Sequence, residues 1–321
     1  MKKIKSLISC LLTAIVLFSS CSMASFAFVT EEKFDIENVT WEDIMTMSNS
    51  DFRKLLSDFE RVYDPFGTYE TNPITQDESG WYDWGIQPYW TSGQEDMSET
   101  GSHELITARA CGILLDDKGF WGDNRNGSIL VALTLSLASI IPDRDADLGV
   151  KDLYRGHFYD PDTEKNFARS KTNTAKTNAV KFYNQAKSQG ISNEDFYRSV
   201  GCMLHYIQDA CEPHHAANIV STGPLSSHSQ FEKFADENLN TYIDSMTTIA
   251  DSVYEVRLNK DIGTIVHESA VVGKGYSDLV DSIFSKTHWG TVALNTTRLA
   301  VIQTATILYK LSIEMNIPLT K

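Results

Sequence analysis

Residues 204–218, Leu204-His205-Tyr206-Ile207-Gln208-Asp209-Ala210-Cys211-Glu212-Pro213-His214-His215-Ala216-Ala217-Asn218, decide how this chain is read, together with the run His228-Ser229-Gln230-Phe231-Glu232 that follows. His205 and Asp209 are four residues apart, and so are His228 and Glu232. On an α-helix that spacing places an imidazole and a carboxylate one turn apart on one face. This donor pair suits zinc, and catalytic zinc sites keep one position open for water. A single such pair is more often a surface pair or a satisfied core histidine. Two pairs with His215 between them, all in one short stretch, favour a metal site.

The 321 residues are 42% hydrophobic and 11% aromatic, enough for a substantial core in one or two domains. Lys2, Lys3 and Lys5 precede an apolar stretch from Leu7 to Phe18, followed by small residues. That stretch is too short to span a membrane and reads as a secretory signal, residues 1–27, cut after Ala27. Lipid attachment at Cys21 is the rival, which Phe18 disfavours. Beyond the signal only Cys111, Cys202 and Cys211 remain, an odd number, so disulfides do not frame the fold. The formal charge is -15, and residues 28–89 alone hold 14 Asp/Glu against 4 Lys/Arg. Such acidity argues against binding a nucleic acid backbone by broad electrostatics. It leaves metal-mediated phosphate chemistry open, since a bound cation reverses the local field.

The apolar spacing predicts a mainly helical chain. A helix is expected within Asn38–Tyr63, with Thr40 as its cap, and residues from Asp64 to Trp90 read as an irregular connector rich in Pro, Gly, Asn and aromatics. Further helices are expected over Ser102–Leu115, Ser128–Ile141, Ala168–Gln189 and Asn193–Glu212, then over His228–Ile249, Ser269–Phe284 and Val292–Met315. No β-rich run or internal repeat stands out, so the expected fold class is all-α.

With these motifs in place, the chain resembles the zinc-dependent phospholipase C family of Gram-positive bacteria. That family includes the Bacillus phosphatidylcholine-preferring enzymes and the catalytic domain of clostridial alpha-toxin. The resemblance runs from Trp90 to the C-terminus. His157-Phe158-Tyr159-Asp160-Pro161-Asp162-Thr163 is similar to the family's histidine loop, and Pro142-Asp143-Arg144-Asp145 to its aspartate loop. Ile265-Val266-His267-Glu268-Ser269-Ala270-Val271-Val272 resembles a later helix start. Trp90 and His103 have the spacing of the family's N-terminal tryptophan and its first histidine.

The resemblance implies a single all-α domain over residues 90–321, preceded by a signal and a propeptide over 28–89, and three zinc ions. Asp143, His157 and His205 would hold one ion, with Asp209 bridging to a second held by Trp90 and His103. His215, His228 and Glu232 would hold the third. Asp145 and Asp147 are rivals of Asp143, while His214, His267 and His288 are left as structural residues. An amide nitrogen is a poor zinc ligand, whereas a free α-amine, with a reference pKa of about 7.7–8.0, gives up its proton to a metal. A cut at Tyr89–Trp90 would therefore create a ligand. The implied activity is hydrolysis of membrane phospholipids to diacylglycerol and a phosphorylated head group by a secreted, monomeric proenzyme with an activating protease, Asp143 orienting or deprotonating water.

Three positions depart from the Bacillus pattern: Gly93 where an acidic head-group residue is expected, Arg144 after the aspartate, and Tyr154 in place of a pocket phenylalanine. They put choline preference in doubt. The alternative is an S1/P1-type zinc-dependent nuclease, or another phosphoesterase. Such nucleases typically close their last metal motif with Trp-Asp, where this chain has Phe231-Glu232.

Overall fold

A computed structural model describes residues 38–66, 102–144 and 153–320. The signal segment, most of the connector, Trp90, Gly93, Asp145 and Asp147 lie outside the described residues. Near the N-terminus are α1 (Trp41–Thr46) and α2 (Asn49–Tyr63). Next come α3 (Ser102–Lys118), α4 (Arg125–Ala138), α5 (Ile141–Arg144), α6 (Leu153–Gly156), α7 (Ala175–Ser188) and α8 (Glu194–Asp209). The remainder is α9 (Pro213–Ala217), α10 (Ser227–Glu237), α11 (Leu239–Ile243), α12 (Asp251–Leu258), α13 (Ile262–Lys274), α14 (Ser277–Val280) and α15 (Trp289–Met315). Among the described residues there is no strand, only the isolated bridges Phe120–Thr320 and Asp160–Lys165. The all-α expectation holds.

Several boundaries differ from those the sequence pattern predicts, three of them through a capping side chain. The helix expected over Asn38–Tyr63 is two helices, because Ser48 leaves the helix and its hydroxyl accepts the Asp51 N–H. Thr40 caps the first of them in a reciprocal box with Asp43. Ala168–Gln189 shortens to α7, where Thr174 and Thr177 make the cap and Arg169 adopts a left-handed backbone upstream. The helix expected from Ser269 begins seven residues earlier, with Asp261 accepting the Thr264 N–H, and stops at Lys274. His228–Ile249 breaks at Asn238.

Helix α8 is the central element, buried along most of its length and packed against α4, α7 and α15. Helix α4, with α5, is long and apolar enough to cross a membrane by length and composition alone, but 83% of that window is buried, as in a core helix. The close approach of α4 and α8 depends on Gly201, since a Cβ there would meet the Cβ of Ala138 at 2.2 Å. A second apolar cluster, around Phe231, Val280 and Trp289, fixes α10 against the start of α15. Cys111, Cys202 and Cys211 are buried free thiols.

The two N-terminal helices belong to the main core. Ile44, Phe52 and Phe59 are fully buried, and Trp41 and Leu56 nearly so, in one cluster with α3, α4 and α8. Each such side chain contributes about 1.5–3 kcal/mol when taken out of water.

Gly201→Ala is expected to destabilise the chain by about 1–3 kcal/mol through overpacking. Urea unfolding of wild type and variant, followed by circular dichroism, measures it; equal midpoints would show that α4 and α8 separate at no cost.

Candidate metal centre

The centre forms where five other pieces of chain meet the C-terminal end of α8. His205 and Asp209 leave one face of α8 a turn apart. The Ser139 carbonyl, at the end of α4, accepts a hydrogen bond from His205 Nδ1 at 2.7 Å. This uses one of the carbonyls that a helix end leaves unsatisfied, and it turns the lone pair of His205 Nε2 towards Asp209. Helix α5 carries Asp143, the residue after α6 is His157, and α3 begins at Ser102 and His103. Ser102 Oγ donates to Asp236 Oδ1 at 2.5 Å, tying the start of α3 to the end of α10.

Asp209 lies at the middle. Its Oδ2 is 2.8 Å from His157 Nδ1 and 3.2 Å from His205 Nε2. Its Oδ1 is 3.1 Å from His215 Nδ1 and 3.6 Å from His103 Nε2. Asp143 Oδ1 faces His205 Nε2 at 3.6 Å and His157 Nε2 at 3.7 Å. On the other side, Glu232 Oε1 is 2.9 Å from His228 Nε2 and 3.3 Å from His215 Nε2. Of the nine ligands implied by the resemblance, eight are brought together in this buried cluster; Trp90 lies outside the described residues.

Three sets of donor atoms are close enough to hold an ion: His157, His205 and Asp209; His103, Asp143 and His205; and Glu212, His215, His228 and Glu232. The donor chemistry fits a cation. With its Nδ1 hydrogen given to Ser139, His205 presents a lone pair 2.9 Å from His157 Nδ1 and close to two carboxylates. So many acceptors converge out of water only around protons or a metal. His228 Nδ1 is likewise buried without a hydrogen-bond partner.

The electrostatics reflect the same crowding. Burial, with the neighbouring His205 and His157 charges, lowers His103 to about 3. Burial also pushes Asp143 up to about 8, opposed by His157 and reinforced by Asp209. Asp209 is pushed up by burial too, but His205, His157 and His215 outweigh this and hold it well below the usual carboxylate range. His215 is disfavoured as a cation by burial, yet Asp209 and Glu232 hold it well above its ordinary value.

Two supporting residues escaped the sequence reading. Gln208 Oε1 accepts from His103 Nδ1 at 2.7 Å, while its Nε2 donates to Thr107 Oγ1 at 3.0 Å and Thr304 Oγ1 at 3.1 Å. The amide thus fixes the His103 tautomer and aims Nε2 inward. A glutamine beside a ligand in sequence gives no signal of this, because the histidine it serves is 105 residues away. Glu212 caps α9, with Oε2 accepting from the His215 backbone N–H at 2.6 Å and Oε1 paired with His214 Nδ1 at 2.9 Å. Its signal was readable, since an acidic residue directly before Pro213 marks a helix start. His214 stacks on His228 with ring centroids 4.9 Å apart. His267 bonds Tyr159 Oη at 2.8 Å.

A family profile described as zinc dependent phospholipase C matches residues 68–289. The chain belongs to this family. Among its relatives, the phospholipase C of Clostridium perfringens strain 13 is 28% identical over 208 residues, covering 58% of this chain and 50% of that protein. A Bacillus cereus phospholipase C is 27% identical over 176 residues, covering 53% of this chain and 61% of the relative. The chain therefore spans about half the length of several curated relatives. Among solved structures, an alpha-toxin of an avian Clostridium perfringens strain superimposes with a TM-score of 0.53 at 27% identity, covering 67% of this chain and 64% of that one.

Gln208→Leu is expected to weaken binding of the ion nearest His103 by about 10–100-fold, as losing a hydrogen-bond partner behind a metal ligand does. Competition for zinc with a chromophoric chelator reads this; unchanged affinity with intact helicity would show that His103 needs no such support. His214→Ala is expected to retain all bound zinc.

Proposed function

We propose that the protein is a secreted zinc metallo-phosphodiesterase that hydrolyses phospholipids at a membrane surface to diacylglycerol and a phosphorylated head group. The observation that supports this furthest is the buried Asp209 carboxylate, faced by His103, His157, His205 and His215 in a chain of the zinc dependent phospholipase C family. In this reading Asp143, His157, His205 and Asp209 would hold one ion, and Asp209, His103 and Trp90 a second. His215, His228 and Glu232 would hold the third. When bound, zinc stabilises charge on phosphate oxygens and brings the pKa of water towards neutrality.

The chain's own groups do the rest. In this reading Asp143 would orient a water and take its proton. Ser139 and Gln208 fix His205 and His103, so the donor atoms are aimed before substrate arrives. Phe158, packed on His215 with centroids 4.7 Å apart, and Tyr154, edge-on to Phe158 at 5.3 Å, make the wall beside the His215–Glu232 side apolar.

Residues 1–27 are read as a signal for export and 28–89 as a propeptide, so in this reading the protein acts outside the cell; it is taken to act there as a monomer. Until a protease cuts Tyr89–Trp90, the Trp90 nitrogen is an amide that cannot ligate.

Elemental analysis of the cut protein is expected to find roughly three zinc ions per chain, bound by the donor groups above; one or none in active protein would reject the trinuclear reading. Asp143→Asn is expected to lower phosphatidylcholine hydrolysis by at least about a hundredfold. Cutting at Tyr89–Trp90 is expected to raise hydrolysis by about tenfold, equivalent to about 1.4 kcal/mol of barrier. The assay compares phosphatidylcholine, sphingomyelin and single-stranded DNA, and faster cleavage of the DNA would overturn the proposed substrate class.

A further inference from the structure

The segment read as a propeptide contains α1 and α2, and these helices are built into the helical domain. The Trp41 indole donates from Nε1 to Ser128 Oγ at 3.1 Å and meets the Phe120 ring edge-on at 6.0 Å. Met45 lies over Gly112, where a Cβ would come within 2.1 Å of its sulfur, so α3 offers a slot only a glycine leaves open. The Met47 carbonyl accepts from Arg109 Nη2 and from Asn240 Nδ2, both at 2.9 Å. Arg109 is 1% exposed. Arg53, on α2, pairs at 3.5 Å with Glu104, whose side chain is 2% exposed and adjoins the proposed ligand His103.

These contacts set the consequence of a cut. Departure of α1 and α2 would leave the Gly112 slot open and water-filled, and Ile44, Phe52 and Phe59 exposed. It would also strip partners from a buried guanidinium and a buried carboxylate, each costly when uncompensated. We propose that α1 and α2 stay bound after cleavage, so that the mature enzyme is a two-piece complex. In it the fragment ending at Tyr89 is a resident light chain that completes the core and holds Glu104 beside His103. The inference rests on the proposed cut at Tyr89–Trp90 for its setting, but not on zinc content or activity.

The test places a site-specific protease sequence directly before Trp90 in the full chain, cuts it, and passes the product through size exclusion into native mass spectrometry. Co-elution of the two fragments at one-to-one stoichiometry is expected, with separation only in denaturant. Elution of the light fragment apart from the heavy one in native buffer, whether the heavy one is folded or aggregated, overturns the proposal. A labelled light fragment is then exchanged against unlabelled copies. Arg53→Met, checked for helicity before cutting, is expected to speed exchange at least tenfold; an unchanged rate would remove Glu104 from the docking. Retention without any change in lipid hydrolysis would count against the proenzyme reading alone.

Discussion

Everything in this fold is arranged so that one carboxylate, that of Asp209, can stay charged out of water. Burial alone would protonate it; three imidazoles, from α8, from the end of α6 and from α9, outweigh burial and keep it ionised. Each imidazole is in turn fixed from behind. The end of α4 holds His205, and the cap of α9 holds the His215 backbone. The Phe158 main chain is flanked by Tyr159 N–H bonding the His215 carbonyl at 3.2 Å, which links the histidine loop to α9. Removing Asp209 would take away the one carboxylate that His103, His157, His205 and His215 share. The helices therefore serve the centre as much as the centre staples the helices.

The chemistry was largely legible because it obeys helix periodicity. His205/Asp209 and His228/Glu232 lie at helical spacing and occupy helices as the spacing predicts. His103, Asp143 and His157 come from distant parts of the chain, and only the resemblance to a family pointed to them. Gln208 was invisible for a different reason: its role depends on a contact between α3 and α8, which no local pattern encodes. Helix boundaries were missed where a short polar side chain competes for backbone N–H groups, as at Ser48, Thr174 and Asp261.

The integration of α1 and α2 was equally hidden. Composition marks residues 28–89 as acidic and distinct, which suggests something separable. The apolar face of α2 is short but complete, with Phe52, Leu56 and Phe59 on one side and Asp51, Asp58 and Glu60 elsewhere on the helix. Charge content reports how a segment meets solvent, whereas attachment depends on its few inward residues. An acidic segment can be both highly soluble and firmly seated.

The three buried cysteines have a consequence for metal selection. Thiolates bind soft metals strongly, and only the deprotonated form is a ligand or nucleophile. Burial pushes the Cys211 thiol, two residues from Asp209, up to about 12, and raises Cys111 further. Both sulfurs therefore stay protonated at neutral pH and behave as small apolar groups. A neighbouring thiolate would compete for the same cation and invite copper or oxidative crosslinking. With the thiols protonated, the donor atoms close enough together to hold an ion are nitrogen and oxygen among the described residues.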